Sequence, residues 1–250
     1  MKELRLFPLS GLPPVVPGTD LGGLLLDALD RSGIEPEDGD IVVVCQKVVS
    51  KAEGRVVRLA EVEPSEFARI LAREIGKDAR ILEVVLRETR RVVRMDRGHL
   101  IVETHHGWVC ANAGVDESNA PESGSVVLLP EDADESARRI RDRVREASGK
   151  KVAVVVTDTF GRPWREGLVE FAIGVAGIAP LLDLRRRRDF TGRPLEHTVV
   201  AQVDAIAAAA GLLMRKDAGI PAVLLRGYEF RPAEESARRL VRRAEEDLFR

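Results

Sequence analysis

Cysteine is scarce: Cys45 and Cys110 are the only two in 250 residues. Two thiols make neither a disulfide framework nor a zinc-ligand pattern, and they read as small buried hydrophobes of an intracellular protein. Aromatic residues are 4% of the chain, too few for the stacking platforms that hold single-stranded bases. Net charge is nearly absent, with 39 Lys and Arg against 41 Asp and Glu. No global field draws such a chain onto nucleic acid or an anionic membrane, so any anion site has to be built locally. Long hydrophobic runs are missing. The apolar run at residues 152–156 is far short of the ~20 residues a membrane helix needs. The opening MKELRLFPLSGLPP sets charges and prolines among its apolar positions, which is not a secretory signal. Common nucleotide and hydrolase signatures are absent too. There is no G-x-x-x-x-G-K-S/T, no G-x-G-x-x-G after a strand, no H-E-x-x-H and no G-x-S-x-G. A cytoplasmic protein without nucleic-acid or membrane partners is expected.

What is present is a core-forming composition, 44% hydrophobic and 32% charged, which excludes a disordered chain. No internal repeat or low-complexity linker divides it, so residues 1–250 read as a single domain with room for two subdomains. The first strand expected is Ile41-Val42-Val43-Val44-Cys45, after the turn signal Glu37-Asp38-Gly39-Asp40. Residues 21–29 before it read as a helix. Pro64 opens a second helix with Phe67, Ile70, Leu71 and Ile75 on one face, and Gly76 stops it. Asp78 caps a third, with Ile81, Val84 and Val85 inward. Residues 100–102 and 108–110 read as a hairpin turning through Thr104-His105-His106-Gly107, where the histidines suit a plain turn. Residues 126–129 form a short strand. Residues 136–147 form a helix buried through Ala137, Ile140, Val144 and Ala147, its remaining charges a solvated face, and Gly149 closes it. Residues 152–156 are expected as a central strand ending at Thr157-Asp158. Val199, Val203, Ile206, Ala210 and Leu213 stripe one long helix. A strand at 222–225 precedes a closing helix from Pro232. Strands and helices mix without βαβ alternation, so the fold class is α+β with a mixed sheet.

Three segments carry candidate chemistry. In Thr157-Asp158-Thr159-Phe160-Gly161-Arg162-Pro163-Trp164-Arg165 an apolar strand runs into an acid and a hydroxyl. A carboxylate at a strand end is held rigidly, which suits a hard cation such as Mg²⁺ or Mn²⁺ completed by phosphate oxygens. Thr159 adds a hydroxyl ligand, and Arg162 or Arg165 suits a phosphate or carboxylate clamp. The same residues also suit a polar turn. In Cys110-Ala111-Asn112-Ala113-Gly114-Val115-Asp116-Glu117-Ser118-Asn119 a second strand runs into small residues and then Asp116 and Asn119. This is a second metal ligand with a base or ribose contact, or an Asx turn. Two acid-ended strands in one chain fit two-metal phosphate chemistry. In the third segment, residues 46–55, Lys51 suits a terminal phosphate or a solvated position past a strand end. The arginine run at 185–188 suits a solvated loop or an anion contact.

Taken in order, these blocks resemble a known family. Gly11-Leu12-Pro13, Ser50-Lys51-Ala52-Glu53-Gly54-Arg55, Asn112-Ala113-Gly114-Val115-Asp116 with Ser118-Asn119, and Thr157-Asp158-Thr159 with Gly161-Arg162 come first. Arg188-Asp189-Phe190 with Gly192-Arg193, and Gly219-Ile220-Pro221-Ala222-Val223 leading to Arg226-Gly227, follow. Together they resemble the coenzyme F420-0:L-glutamate γ-ligases, F420 being a deazaflavin coenzyme. The resemblance implies addition of L-glutamate through γ-linkages to the carboxylate of F420-0, with GTP and divalent metal (Mg or Mn, two ions, with a monovalent cation as a further option). It implies an intertwined homodimer with a mixed-sheet α+β fold. It implies metal at Asp116, Asp158 and Thr159, and GTP at Leu12, Pro13, Pro14, Val15, Gln46, Lys47, Lys51 and Asn119. Asp116, Asp158 and Lys51 then carry the catalysis, by phosphoryl transfer to an acyl phosphate that the glutamate amine attacks.

Met214, Arg215 and Lys216 fall at a nucleotide-proximal turn of the family. There Arg215 replaces a usual glycine, Lys216 an acid or amide, and Ala205 a usual Glu. The chain ends after one closing helix, so a ligase without the C-terminal reductase domain of some relatives is expected. A metal-dependent phosphohydrolase and a non-catalytic nucleotide-binding protein are the alternatives.

Overall fold

The β-branched runs of this chain are buried side by side. The computed structural model describes residues 3–247. Its elements run β1 (Arg5–Leu9), α1 (Leu21–Arg31), β2 (Ile41–Cys45), α2 (Gln46–Ala52), β3 (Val56–Arg58), α3 (Glu66–Ile75), α4 (Ala79–Arg87), β4 (Thr89–Asp96), β5 (His99–Thr104) and β6 (Val109–Ala111). There follow β7 (Ser125–Val127), α5 (Ala133–Ser148), β8 (Ala153–Arg162), β9 (Arg165–Ala176), β10 (Leu182–Asp183), β11 (Val199–Val200), α6 (Gln202–Gly211) and β12 (Ala222–Arg226). Five strands form the main sheet in the order β1-β12-β2-β8-β9. Only β2 and β8 pair in parallel, from Ile41↔Ala153 to Cys45↔Thr157. The mixed α+β class stands.

Both faces of this sheet are covered, which is why β2 reads as a continuous apolar run rather than an alternation. Val42, Val44, Val154 and Val156 pack under Leu25 and Leu29 of α1 and Ala137 and Ile140 of α5. Ile41, Val43, Val155 and Val223 pack under Val203, Ile206 and Ala210 of α6. Beside the sheet, α3 and α4 cover β4-β5-β6 through Leu71, Leu82, Val85, Leu100 and Val102. The β3–β7 pair adds Leu59, Val62, Val84 and Val126. Three expected helix ends are in place: Asp78 accepts from a first-turn amide of α4, and Gly76 and Gly149 close α3 and α5 in the left-handed region. Asp20, Ser65 and Asp132 cap α1, α3 and α5 in the same way without having been expected, Ser65 rather than Pro64 marking the start of α3.

Several expectations are corrected. A strand, β1, precedes Ile41; its Pro8 is tolerated because β1 is an edge strand, paired only with β12. β8 does not end at Asp158. It continues to Arg162, and the turn falls at Pro163-Trp164, where Trp164 takes φ 58°. β9 and β4 are strands that alternation did not announce. The α3 stripe is split: Ala68 and Leu71 are buried, whereas Phe67 and Ile70 are exposed. Val199 lies in β11, outside α6. Past Pro232 the described residues form only 3-10 turns, Ala237–Leu240 and Ala244–Glu246, in place of a closing helix. Among the described residues no helix is long and apolar enough to cross a membrane.

Candidate active site

The last parallel pair is Cys45↔Thr157. There β2 turns into α2, while β8 and β9 run on as a two-stranded arm. The divergence opens a cavity of about 260 Å³ at the carboxyl end of the parallel pair, the usual place for a ligand in such sheets. Asp158 is thus the first residue of the arm; the parallel sheet ends beside it, although its own strand does not. α2 supplies Gln46, Lys47 and Lys51 to the wall, with Lys47 and Lys51 on one helical face. Lys51 is therefore a helix residue, not one beyond a strand end. Leu12, Pro13, Pro14 and Val15 line the cavity from the loop after β1, and Asn119 lines it from the segment before β7. Met214, Arg215 and Lys216 line it after α6.

Asp116 reaches this place by a constrained turn. Asn112, Ala113 and Gly114 take φ of 51°, 55° and 73° in succession, a left-handed run costly for the non-glycine residues. A Cβ at Gly114 would lie 2.7 Å from Leu129 Cγ, so only glycine closes the turn. Asp116 then bridges Val127 of β7 through both backbone groups. Its carboxylate is crowded by cations. Lys47 Nζ is 2.7 Å and Lys216 Nζ 3.0 Å from Oδ2, and the Ser118 amide donates to Oδ1 at 2.7 Å. Burial pushes the Asp116 carboxyl up, but Lys47, the Ser118 amide and Lys216 outweigh it and hold the group well below the usual carboxylate range.

Asp158 behaves oppositely. Burial raises it to about 7, and the Glu170 and Asp116 charges add to the rise against the Thr159 amide and Lys47. Thr159 Oγ1 donates to Glu170 Oε1 at 2.5 Å. Three buried polar atoms here have no partner: Thr157 Oγ1, Glu170 Oε2 and Gln46 Nε2. Orphaned buried groups carry a cost, and a bound ligand or ion removes it. The oxygen donors Asp158, Glu170 and Thr159, with Asp116 nearby, suit a hard divalent cation. Among the described residues no three His, Cys, Asp or Glu side chains close around one point. The set therefore fits an ion whose shell water and phosphate oxygens complete. Lys51 has no ion pair among the described residues, and burial lowers its ammonium, with the Lys47 charge adding. An unpaired ammonium at a cavity wall suits an anion.

A sequence profile for the F420-0:Gamma-glutamyl ligase family matches residues 11–227. The chain belongs to that family. It is 43% identical over 250 residues to the coenzyme F420:L-glutamate ligase of Methanothermobacter thermautotrophicus, covering 99% of each chain. Identity to the protein of the same name from Methanopyrus kandleri is 47% over 255 residues, covering 100% of this chain and 99% of the relative. For Archaeoglobus fulgidus it is 45% over 249 residues, covering 99% and 97%.

The candidate site residues named from the sequence line the cavity with three exceptions. Asp116 is not in its wall but is tied to it through Lys47 and Lys216, which are. Arg162 and Arg165 lie at the arm's tip, where Arg162 donates to the Glu166 carbonyl at 2.8 Å. The residue that sequence reading misses is Glu170, a lone acid within the otherwise apolar stretch Val169-Glu170-Phe171-Ala172 of an unannounced strand. Gly211 hints at it, since a Cβ there would meet Glu170 Cγ at 2.6 Å. Cys45 is half-buried and lines the cavity; Cys110 is buried as expected. A larger concavity of about 570 Å³, beside the first turns of α1 and α5, is closed on itself electrostatically: Arg139 pairs with Glu53 at 2.6 Å.

Proposed function

We propose that this γ-glutamyl ligase family protein adds L-glutamate through γ-linkages to the carboxylate of F420-0, consuming GTP and yielding F420-1 or longer tails. The observation that carries the reading is the meeting, in one cavity at the ends of β2 and β8, of an unpaired ammonium (Lys51) with an oxygen-rich acid cluster (Asp158, Glu170, Thr159). A carboxylate does not form an amide in water unless its oxygen becomes a leaving group. In our reading an F420-0 carboxylate oxygen attacks the γ-phosphorus of GTP and GDP departs. The glutamate nitrogen then attacks the acyl carbon, phosphate leaves, and the amine loses a proton. Lys47 and Lys51 neutralise charge on the transferring phosphoryl group. Residues 12–15, Gln46 and Asn119 hold the nucleotide.

Asp116, Asp158 and Thr159, with Glu170 added, are the groups that would hold Mg²⁺ or Mn²⁺, two ions in our reading. A divalent cation held there would lower the negative charge that the nucleophile meets. Lys216 on Asp116 is the feature that favours nucleotide binding without turnover, because its ammonium supplies countercharge where a cation is needed. We also assign a homodimer, built from the apolar side chains exposed on the arm.

Mass spectrometry of F420-0, L-glutamate, GTP and Mn²⁺ with the purified protein tests the reading. A GTP-dependent gain of glutamyl units is expected. GDP release that ignores glutamate and the deazaflavin would indicate a phosphohydrolase, and GTP binding without release a binding protein.

A further inference from the structure

Aromatic side chains are few here, seven Phe, two Trp and one Tyr, and three of them meet outside the cavity just described. Trp108, Phe160 and Phe171 wall a second cavity of about 230 Å³. Phe160 and Phe171 are stacked, with centroids 5.9 Å apart and planes at 22°. All three are only half-buried, so ring surface remains uncovered.

The second cavity adjoins the first along the arm. Phe171 lies directly opposite Asp158 in the β8–β9 ladder, and Phe160 is two residues beyond Asp158 on the same strand face, about 7 Å further on. Asp204 of α6 lines it too. One carboxylate oxygen accepts from the Ala172 amide at 3.0 Å, and the other has no hydrogen-bond partner among the described residues. The first cavity, by contrast, has no aromatic residue in its wall, so of the two cavities only the second offers ring-on-ring stacking.

We propose that the Trp108–Phe160–Phe171 cavity binds a planar, fused heteroaromatic ring system, the deazaflavin ring of the acceptor. The acceptor's identity rests on the ligase reading above. The ring stacks on the phenyl faces, the arrangement aromatic pairs prefer over open solvent. Asp204 accepts a hydrogen bond from a ring N–H. The acceptor's chain then runs along the arm and delivers its carboxylate to Asp158, Lys47 and Lys51. Selection of the acceptor is thereby separated from the phosphoryl chemistry.

The probe is 5-deazariboflavin, which carries ring and ribityl chain but no phosphate or carboxylate, titrated by its fluorescence. Saturable binding to the wild-type protein is expected. In Phe171→Leu, which keeps apolar bulk, and in Asp204→Asn, affinity should fall by roughly tenfold for the lost stacking and by less for the lost acceptor. GTP affinity stays unchanged in both. In turnover the same variants raise KM for F420-0 and leave kcat unaltered. Phe160→Leu, checked for an unchanged circular dichroism spectrum, repeats the test if Phe171→Leu fails to fold. Equal probe affinity in wild type and variants overturns the proposal, and so does an unchanged KM in an enzyme that glutamylates F420-0; the ligase reading survives either. A ring site lost in the variants of a protein that adds no glutamate upholds the proposal and overturns the ligase reading. An altered oligomeric state in Phe171→Leu with unaltered ring binding assigns the cavity to a second copy of the chain and overturns the proposal.

Discussion

Two carboxylates of similar chemistry face opposite ways in this site, and the difference lies in their neighbours. Asp116 has two ammonium groups and a backbone amide on it, whereas Asp158 has enclosure and the Glu170 charge. Asp158 titrates near 7 when folded, against 3.8 as its ordinary value. Between those values the folded chain holds a proton that the unfolded chain has released. Stability without a divalent cation therefore falls as pH rises from about 4 to about 7, and chemical denaturation of Asp158→Asn should lack that slope. A cation competes with the same proton, so Mn²⁺ affinity, read by calorimetry, should climb over this interval and level off above it. Asp116→Ala and Asp158→Ala should each lower glutamyl transfer by about a thousandfold or more, since a bound metal supplies several kcal/mol of charge stabilisation. Their circular dichroism should match wild type; near-normal rates would remove these residues from the metal site. Lys216→Gln should strengthen Mn²⁺ binding by relieving Asp116 of one competing ammonium, and weaker binding would show that Lys216 supports the nucleotide instead.

At the scale of elements, some helix ends were legible and strand ends were not. Asp78, Gly76 and Gly149 act where the sequence places them, because a cap is a local interaction between one residue and nearby backbone groups. β9 is a different matter. Its sequence is half exposed arm and half buried strand, so no single alternation runs through it. Gly174 marks where α5 lies against its backbone, and a Cβ there would stand 2.3 Å from the carbonyl carbon and oxygen of Ala133. Backbone cannot yield as a side chain can. Gly174→Ala should cost about 1–3 kcal/mol and lower Tm by roughly 5 °C in a thermal melt. An unchanged Tm would mean that α5 shifts freely on the sheet.

At the scale of the whole molecule, the arm carries Trp164 and Leu168, 80% and 62% exposed, and the loop between β10 and β11 carries Phe190, 102% exposed. Apolar groups this open suit burial in a partner. In the proposed homodimer, sedimentation should give twice the 27.5 kDa of one chain, and Leu168→Glu should return it to the monomer mass. A wild-type monomer would send the arm to another role. The sequence alone determined the mixed α+β class, the buried runs of β2 and β8, the helix ends at Asp78, Gly76 and Gly149 and, through six ordered blocks, the family. Those features are local or repeated motif by motif, and each is written in contiguous residues. Only the tertiary structure decided that Lys47, Asp116 and Lys216 share one carboxylate oxygen, that Glu170 joins Thr159, and that Arg162 and Arg165 stay out at the arm's tip. Lys216 reaches Asp116 from 100 positions away and Thr159 reaches Glu170 across a β-ladder, and such pairings depend on where β8 parts from β2, which is set by packing across the sheet and not by the order of residues along any one strand.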